Sequence, residues 1–254
     1  MKYVLKVCYD GTSFGGWQIQ NNAVTVQQRL EEAFEKAFSQ QVNITASGRT
    51  DAGVHAAGQV CHFTADLTIP PEKIADALNC FLPKEISVLA SAKAPENFDA
   101  NRSAKRKTYC YNAYFSPRKN PLKDRFSTWV KGDADIQKLR HIATLFIGEH
   151  DFIAYMASRS QVKTTVRTIY SIDIEESITY GSKNIKIFVC GNGFLYNMVR
   201  TIAGTLIGYA QGRISEEQVK KSLTEKNRNL VGKTMPPNGL TLEDVEYGIN
   251  LFNG

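Results

Sequence analysis

The stretch GRTDAGVHAAGQV, residues 48–60, connects two segments that have the composition of β-strands. VNITASG precedes it at 42–48 and QVCHFTA follows it at 59–65, and both contain the β-branched and aromatic residues that strands favour. The stretch itself is rich in glycine and alanine, and it holds one acid, Asp51, two residues after Arg49. It predicts a glycine-rich connection within a sheet that presents a single carboxylate.

The chemistry of Asp51 has two interpretations. Gly48 and Gly53 allow unusual dihedral angles and close approach of a ligand, while Arg49 can favour the ionised carboxylate. An ionised, partly enclosed carboxylate suits nucleophilic attack or proton abstraction. In the other interpretation, Arg49, Thr50 and Asp51 form a turn whose ion pair and side-chain caps are purely structural. The residues alone leave both interpretations open.

Hydrophobic periodicity outside this stretch predicts strands and helices in mixed order. Thr25 and Gln28 are placed as a capping box for the first helix. Irregular alternation of strands and helices favours an α+β fold with a mostly antiparallel sheet, in two halves, 1–103 with Asp51 and 104–254, that meet at a cleft. The predicted strands are 2–9, 86–94, 105–115, 166–176 and 184–193, and the predicted helices are 25–40, 71–82, 135–148, 194–210 and 215–227.

Charge is distributed unevenly along the chain. The net charge is +6, yet residues 102–131 alone hold nine basic residues and one acid, Asp124, with six aromatic residues interleaved. One interpretation is a solvated, charged strand pair over a core. The other is a surface that binds nucleic-acid phosphates and stacks bases on aromatic rings. Composition favours neither strongly.

Composition also excludes several classes of protein. The chain is 43% hydrophobic and 22% charged, with no low-complexity tract and no apolar run that approaches the ~20 residues needed to span a bilayer. Lys6 interrupts the apolar residues at the N-terminus, which argues against a signal peptide. Five scattered cysteines argue against a disulfide framework, and Cys61-His62 lacks a partner pair for a zinc site. These features predict a cytoplasmic protein. They predict no metal site, no membrane-spanning segment and no phosphate-binding loop for a nucleotide.

Several blocks of sequence resemble one family in the same order along the chain. ASGRTDAGVHAAGQV at 46–60 is similar to the catalytic motif of the tRNA pseudouridine synthase I (A) family. Further blocks at 9–34, 106–111, 148–174 and 193–208 resemble the same family, so that the resemblance runs from residue 3 to about residue 247. It implies a pseudouridine synthase fold with two ferredoxin-like halves that share a mostly antiparallel sheet flanked by helices.

The same resemblance implies an activity. The family isomerises uridine to pseudouridine in tRNA, here in the anticodon stem-loop at positions 38, 39 and 40 in tRNA numbering. The reaction conserves the atoms of the uracil and ribose, which fits the prediction that no cofactor or metal is needed. A tRNA partner and a homodimer are implied as well.

Roles for individual residues also follow from the resemblance. Asp51 matches the essential aspartate, which attacks ribose or base or removes a ribose proton. Arg49 belongs to the same motif, and Arg200 matches an arginine that pairs with the carboxylate. Tyr109 matches a tyrosine that stacks on the target base, and Leu195 supplies an apolar wall. On the residues alone, the alternation of Tyr109 with Tyr111 on a strand favours a core residue, and Arg200 could simply cap a buried helix.

Contacts with RNA are predicted less directly. Two positions depart from the family pattern: Asn101 stands where an arginine is common, and Asn197 stands where a histidine is common. His55 has no proton-transfer role in the resemblance and is interpreted as structural or RNA-contacting. The predicted RNA contacts are His55, Arg102, Lys105, Arg106 and Lys107, with Arg159, Lys163 and Arg167 as a further basic segment.

Three other functions fit parts of the sequence. A hydrolase of N-glycosidic bonds would begin with similar chemistry, but glycosidases usually show paired carboxylates. A non-catalytic RNA-binding protein would need the basic segment without Asp51. An aspartic protease would need a second half-site, and Asp10-Gly11-Thr12 is a poor one. The isomerase accounts for more of the residues than any of these.

Overall fold

The computed structural model describes residues 1–157 and 163–252, and within them ten strands and five α-helices are formed, besides short 3-10 turns. The strands are β1 (Lys2–Tyr9), β2 (Thr45–Ala46), β3 (His55–Thr64), β4 (Ile86–Lys93), β5 (Ala104–Phe115), β6 (Thr128–Val130), β7 (Gly148–Asp151), β8 (Val166–Thr179), β9 (Ser182–Gly191) and β10 (Leu240–Tyr247). The helices are α1 (Val26–Phe38), α2 (Ile74–Asn79), α3 (Ile136–Ala143), α4 (Met198–Ala210) and α5 (Glu216–Thr224). The chain forms two compact units, Met1–Lys107 with the segment from Thr241 onward, and Thr108–Leu240.

The first unit contains a sheet in the order β4–β1–β3–β10. Strand β1 is antiparallel to both β3 and β4, whereas β10 is parallel to β3, with Thr241 opposite His55. Strand β2 pairs with the other end of β3, at His62 and Cys61. Pairing of β10 with β3 explains why the segment from Thr241 belongs to the first unit, although the sequence-based division places it in the second half.

Helix α1 packs one apolar side on this sheet. Leu30 and Phe34 are fully buried, and the Phe34 ring centroid lies 4.9 Å from that of Phe63 on β3. Phe63 in turn stacks on Tyr3 of β1 at 5.5 Å. Because burial of each large side chain contributes roughly 1.5–3 kcal/mol, this aromatic row is a main anchor of the unit.

The start of α1 confirms half of the predicted capping box. The side chain of Thr25 accepts a hydrogen bond from the N–H of Gln28 at 3.3 Å. The Gln28 amide donates instead to Glu32, one turn onward, at 2.8 Å. Thr25 therefore satisfies one of the helix's unpaired N–H groups, and Gln28 supports the helix through an i,i+4 pair.

The second unit has the strand order β5–β9–β8–β7, with β6 parallel to β5. Strands β7, β8 and β9 form an antiparallel series. Tyr155 packs edge-on against Phe146 and Phe152, with ring centroids 5.3 and 5.8 Å away. Its buried hydroxyl lies 2.6 Å from that of Ser222 on α5, which ties this helix to the core.

The α+β class with a mostly antiparallel sheet is confirmed, and several element bounds differ from the prediction. Strands β6, β7 and β10 were not predicted, and the strand expected at 42–48 is reduced to β2. Helix α4 begins at Met198 instead of residue 194, because Asn197 has a left-handed φ of 64°. Among the described helices, none combines the length and apolar character that a membrane crossing requires.

Candidate active site

Asp51 lies on a loop that the segment between β1 and α1 holds in place. The N–H of Trp17 donates to the carbonyl of Thr50 at 3.0 Å. Two residues after Asp51, the N–H of Gly53 donates to the carbonyl of Phe14 at 3.3 Å. The backbone is therefore fixed on both sides of the carboxylate.

Two glycines of that segment permit the close approach of the loop. A Cβ at Gly16 would lie 2.6 Å from the carbonyl oxygen of Thr50, and Gly16 also has a φ of +95°. A Cβ at Gly11 would clash with the carbonyl of Val54. Within the loop, Gly53 has a φ of +79°, which glycine adopts readily. Glycine is thus needed at 11 and 16, positions that sequence reasoning did not single out.

A set of buried polar side chains supports the loop from beneath. The hydroxyl of Tyr9 lies 2.7 Å from Oγ1 of Thr50. Ser47 donates to the side-chain oxygen of Gln59 at 2.7 Å, and the Gln59 amide donates to the carbonyl of Gly48 at 2.8 Å. Burial raises the pKa of Tyr9, so that its phenol stays neutral. The hydroxyl of Tyr9 is therefore a lasting hydrogen-bond partner.

The two predicted charged residues of the motif differ in exposure. Asp51 is half-buried and Arg49 is exposed. Partial enclosure keeps the carboxylate accessible to a substrate while limiting its contact with water, as a nucleophile or base requires. The predicted pairing of Arg49 with Asp51 stays a prediction.

His55, the first residue of β3, is only 3% exposed. Its Nδ1 lies 3.0 Å from the N–H of Gly11 and 3.1 Å from Oδ1 of Asp10. Because a backbone N–H can only donate, Nδ1 is the acceptor in the contact with Gly11. The same Asp10 oxygen accepts from the N–H and hydroxyl of Thr12. His55 thus joins the motif to the segment after β1.

The basic residues that end the first unit have different settings. The side chains of Asn101 and Lys107 both donate to the carbonyl of Ser47, immediately before the motif. The N–H groups of Arg102 and Asn101 donate to Asp99 and hold its pKa low. Asn101, which departs from the family pattern, therefore braces the motif. Among the basic side chains of this segment, those of Arg102, Lys105 and Arg106 are exposed.

Tyr109 and Tyr111, which alternate on β5, are both buried in the second unit. Tyr109 is 8% exposed, and its ring meets that of Phe194 edge-on at 5.2 Å. Tyr111 is fixed through its hydroxyl, which lies 2.7 Å from Oγ1 of Thr128 and donates to the carbonyl of Pro236 at 2.9 Å. Both the base-stacking and the core interpretation of Tyr109 are compatible with this burial.

Arg200 lies in the first turn of α4. Its Nε donates to the carbonyl of Met235 at 2.7 Å, and a terminal nitrogen donates to the side-chain oxygen of Asn197. Asparagine tolerates the left-handed conformation of position 197 better than most residues, which accounts for Asn197 in physical terms. Leu195 is 5% exposed and closes the turn before the helix, where its carbonyl accepts from Met198 at 3.0 Å.

The candidate residues thus fall into two groups, one in each compact unit. Arg49, Asp51 and His55 lie together in the first unit, whereas Tyr109, Leu195 and Arg200 lie in the second. In the further basic segment, Lys163 is exposed, Arg167 donates to the carbonyls of Thr164 and Val166, and Arg159 lies outside the described residues. Across residues 1–157 and 163–252, no group of three or more His, Cys, Asp and Glu side chains could hold a metal ion.

Sequence reasoning missed the supports of the motif. Tyr9, Gly11 and Gly16 all lie in the segment YDGTSFGGW at 9–17, where three glycines within six residues were the available signal. Their partners are some forty residues away along the chain, so that the local pattern could not identify them.

Comparison with known proteins assigns the chain to a family. The sequence profile of a family described as tRNA pseudouridine synthase matches residues 7–101 and 142–248, which covers most of both units. The chain belongs to the tRNA pseudouridine synthase family. Its resemblance to this family, inferred from Asp51 and its surroundings, is therefore confirmed, and the chain is an isomerase that modifies uridine in tRNA.

Individual relatives are similar in sequence to this pseudouridine synthase over almost the whole length of both chains. A protein of Ruminiclostridium cellulolyticum named tRNA pseudouridine synthase A is 42% identical over 97% of this chain and 99% of its own. Proteins of the same name are 41% identical in Geotalea uraniireducens, over 94% and 96%, and 42% identical in Listeria welshimeri, over 97% and 99%. A solved chain of a Cbf5-Nop10-Gar1 complex aligns at 14% identity over 94% of this chain and 48% of its own, with a TM-score of 0.39.

Proposed function

We propose that this enzyme converts uridine to pseudouridine in the anticodon stem-loop of tRNA, at positions 38, 39 and 40 in tRNA numbering, with Asp51 as the nucleophile. One observation carries the proposal: the half-buried Asp51 stands in the family motif, on a loop whose backbone is hydrogen-bonded on both sides. A carboxylate on a fixed backbone is held in one position relative to the bound ribose and base. Such positioning favours nucleophilic attack.

The proposed reaction breaks the N-glycosidic bond, turns the uracil and rejoins it to the ribose through C5. Asp51 either attacks the ribose or the base, or removes a ribose proton, and the C5 hydrogen is finally lost to solvent. Arg49 and Arg200 keep the carboxylate ionised. No atom is gained or lost by the RNA apart from exchange of hydrogen, so that the reaction needs no redox partner.

Access to the glycosidic bond requires extrusion of the uridine from its stack. Tyr109 is proposed to stack on the extruded base, which offsets the unstacking by about 1–3 kcal/mol. Leu195 supplies an apolar wall beside it. An aromatic face accepts any base, so that phosphate contacts and RNA shape select the substrate.

The binding surface, assembly and location follow from the same proposal. The exposed Arg102, Lys105 and Arg106 bind RNA phosphates, and Lys107 and His55 brace the motif near them. The enzyme acts in the cytoplasm on folded tRNA. It acts as a homodimer, which sedimentation of the purified protein with and without tRNA can test.

The decisive experiment compares Asp51→Asn with Asp66→Asn, an exposed acid of the same unit. Asp51→Asn keeps the shape but removes the charge needed by a nucleophile or base, so that turnover should fall by about a millionfold, equivalent to ~8 kcal/mol of barrier lowering. Affinity for tRNA should change little, because phosphate contacts lie elsewhere. Release of the uracil C5 hydrogen and mapping of pseudouridine in tRNA measure both the rate and the position.

Three outcomes would change this proposal. Pseudouridine at tRNA positions outside the anticodon stem-loop would refute the proposed site. Free uracil and an abasic RNA would establish the hydrolase instead of the isomerase. Full activity in Asp51→Asn would remove Asp51 from the mechanism and leave the structural turn as the explanation of the motif.

A further inference from the structure

Four polar side chains lie buried beneath the Asp51 loop without being part of the proposed catalytic set. Ser47 and Gln59 are fully buried, while Tyr9 and Thr50 are 4% and 6% exposed. Polar groups at such depth are hydrogen-bonded in native proteins, and a fully paired network fixes one arrangement of the side chains around it. This network therefore fixes the conformation of the loop that carries Asp51.

Thr50, the residue before Asp51, is held through both its side chain and its backbone. Its Oγ1 lies 2.7 Å from the hydroxyl of Tyr9, and its carbonyl accepts from the N–H of Trp17 at 3.0 Å. The same carbonyl faces Gly16, where any side chain would come too close. Rotation of the peptide between Thr50 and Asp51 would break the bond to Trp17, and displacement of the Thr50 side chain would break the contact with Tyr9.

The residues at the start of the loop are anchored in the same way. Gln59, on β3, accepts from the hydroxyl of Ser47 at 2.7 Å and donates to the carbonyl of Gly48 at 2.8 Å. Residues 47, 48 and 50 are thus held by buried side chains, and the half-buried Asp51 follows them directly. A small change in the backbone angles of these residues would therefore displace the Asp51 carboxylate.

We propose that Tyr9 is a positioning residue that acts through Thr50 to aim the Asp51 carboxylate at its target. This inference rests on the proposed function of Asp51. Apolar residues of the same shape could fill the sites of Tyr9 and Thr50 with little loss of stability, because both hydroxyls would be removed together. Gln59, which also contacts the Tyr9 hydroxyl, would keep its bonds to Ser47 and to the carbonyl of Gly48. The hydroxyl pair therefore serves the geometry of the loop more than the stability of the fold.

The test measures single-turnover rate, tRNA affinity and thermal unfolding in five variants of the full chain. Tyr9→Phe and Thr50→Val each remove one hydroxyl, and the double variant removes both. Thr50→Ser retains a hydroxyl. Tyr3→Phe is the matched control, since Tyr3 is also buried on β1 and its hydroxyl makes a weak contact with the sulfur of Met1, at 3.7 Å.

The expected result is a loss of rate without a loss of binding. Tyr9→Phe and Thr50→Val should each lower the rate about tenfold to a hundredfold at unchanged tRNA affinity, as expected for a misplaced reacting group. The double variant should be no slower than the worse single variant and at least as stable as either. Thr50→Ser and Tyr3→Phe should keep nearly the wild-type rate.

Two outcomes separate this inference from the proposed function. If Asp51→Asn is inactive but Tyr9→Phe and Thr50→Val react at the wild-type rate, the positioning role is wrong and the role of Asp51 stands. If the rate losses of the two single variants multiply in the double variant, the residues act independently, which also overturns the inference. Activity in Asp51→Asn would instead remove Asp51 from the mechanism, and the positioning role of Tyr9 would fall with it.

Discussion

His62 links the C-terminal end of β3 to the turn that braces the catalytic motif. Its Nδ1 accepts a hydrogen bond from the N–H of Ala100 at 3.1 Å, and the next residue, Asn101, binds the carbonyl of Ser47. Burial lowers the pKa of His62, because the charged ring is poorly solvated there. The neutral ring is therefore the form that the fold uses.

The first unit should lose stability as the pH falls from 7 to 5. The pKa of His62 is lower in the folded state than the value of about 6.5 in the unfolded chain, so that the stabilisation is present above that pH and is lost below it. His62→Gln offers an acceptor that does not titrate and should flatten this part of the profile. Urea unfolding at several pH values measures it, and an unchanged slope in His62→Gln would assign the pH effect to other groups.

Single residues show what the sequence could and could not reveal about the site. Asp51 was identifiable because an acid among glycines stands out locally and matches a family motif. The departures at Asn101 and Asn197 were visible too, but their reasons were not. One depends on a carbonyl more than fifty residues away, and the other on a left-handed backbone angle. Both require knowledge of the folded chain.

Elements with strong periodicity were predictable, and those defined by their partners were not. Strand β1 was predicted with its observed bounds, and α1 nearly so, since their apolar residues repeat at the strand and helix periods. Strands β6 and β7 have three and four residues, too few to show a period. Strand β10 owes its place to parallel pairing with β3, which local sequence does not encode.

The end of α1 permits a test of local backbone strain. Ser39 terminates the helix with a left-handed φ of 54°, which glycine adopts at no steric cost. Ser39→Gly should therefore stabilise the protein by about 1 kcal/mol, from the left-handed penalty of a non-glycine residue. Lys36→Gly, inside the same helix, should destabilise it by a similar amount. Thermal and urea unfolding compare the two, and a loss of stability in Ser39→Gly would show that position 39 is not strained.

At the scale of the whole molecule, many of the basic residues between 102 and 131 already have structural partners. Lys119 pairs with Asp124 at 2.9 Å, and Lys107 donates to the carbonyl of Ser47. Lys123 donates to Thr179 and to Asn184. The count of cations in the sequence therefore overstates the charge available to a ligand. The exposed cations at the end of the first unit are the better candidates for phosphate contacts.

The logarithm of the binding constant for tRNA should accordingly fall linearly with the logarithm of the salt concentration, because bound phosphates release counterions. Lys105, exposed at the start of β5, is proposed as one such phosphate contact. Lys105→Gln should therefore reduce the magnitude of the salt slope by about 1 and weaken the binding of all tRNAs to the same extent. Lys73→Gln is the matched control, because Lys73 is exposed in the same unit and pairs with Asp76 at 3.3 Å. Titrations by filter binding or fluorescence at several salt concentrations give the slope. A slope near zero in the wild type would refute phosphate-dominated binding, whereas equal slopes in Lys105→Gln and Lys73→Gln would move the contact surface away from β5.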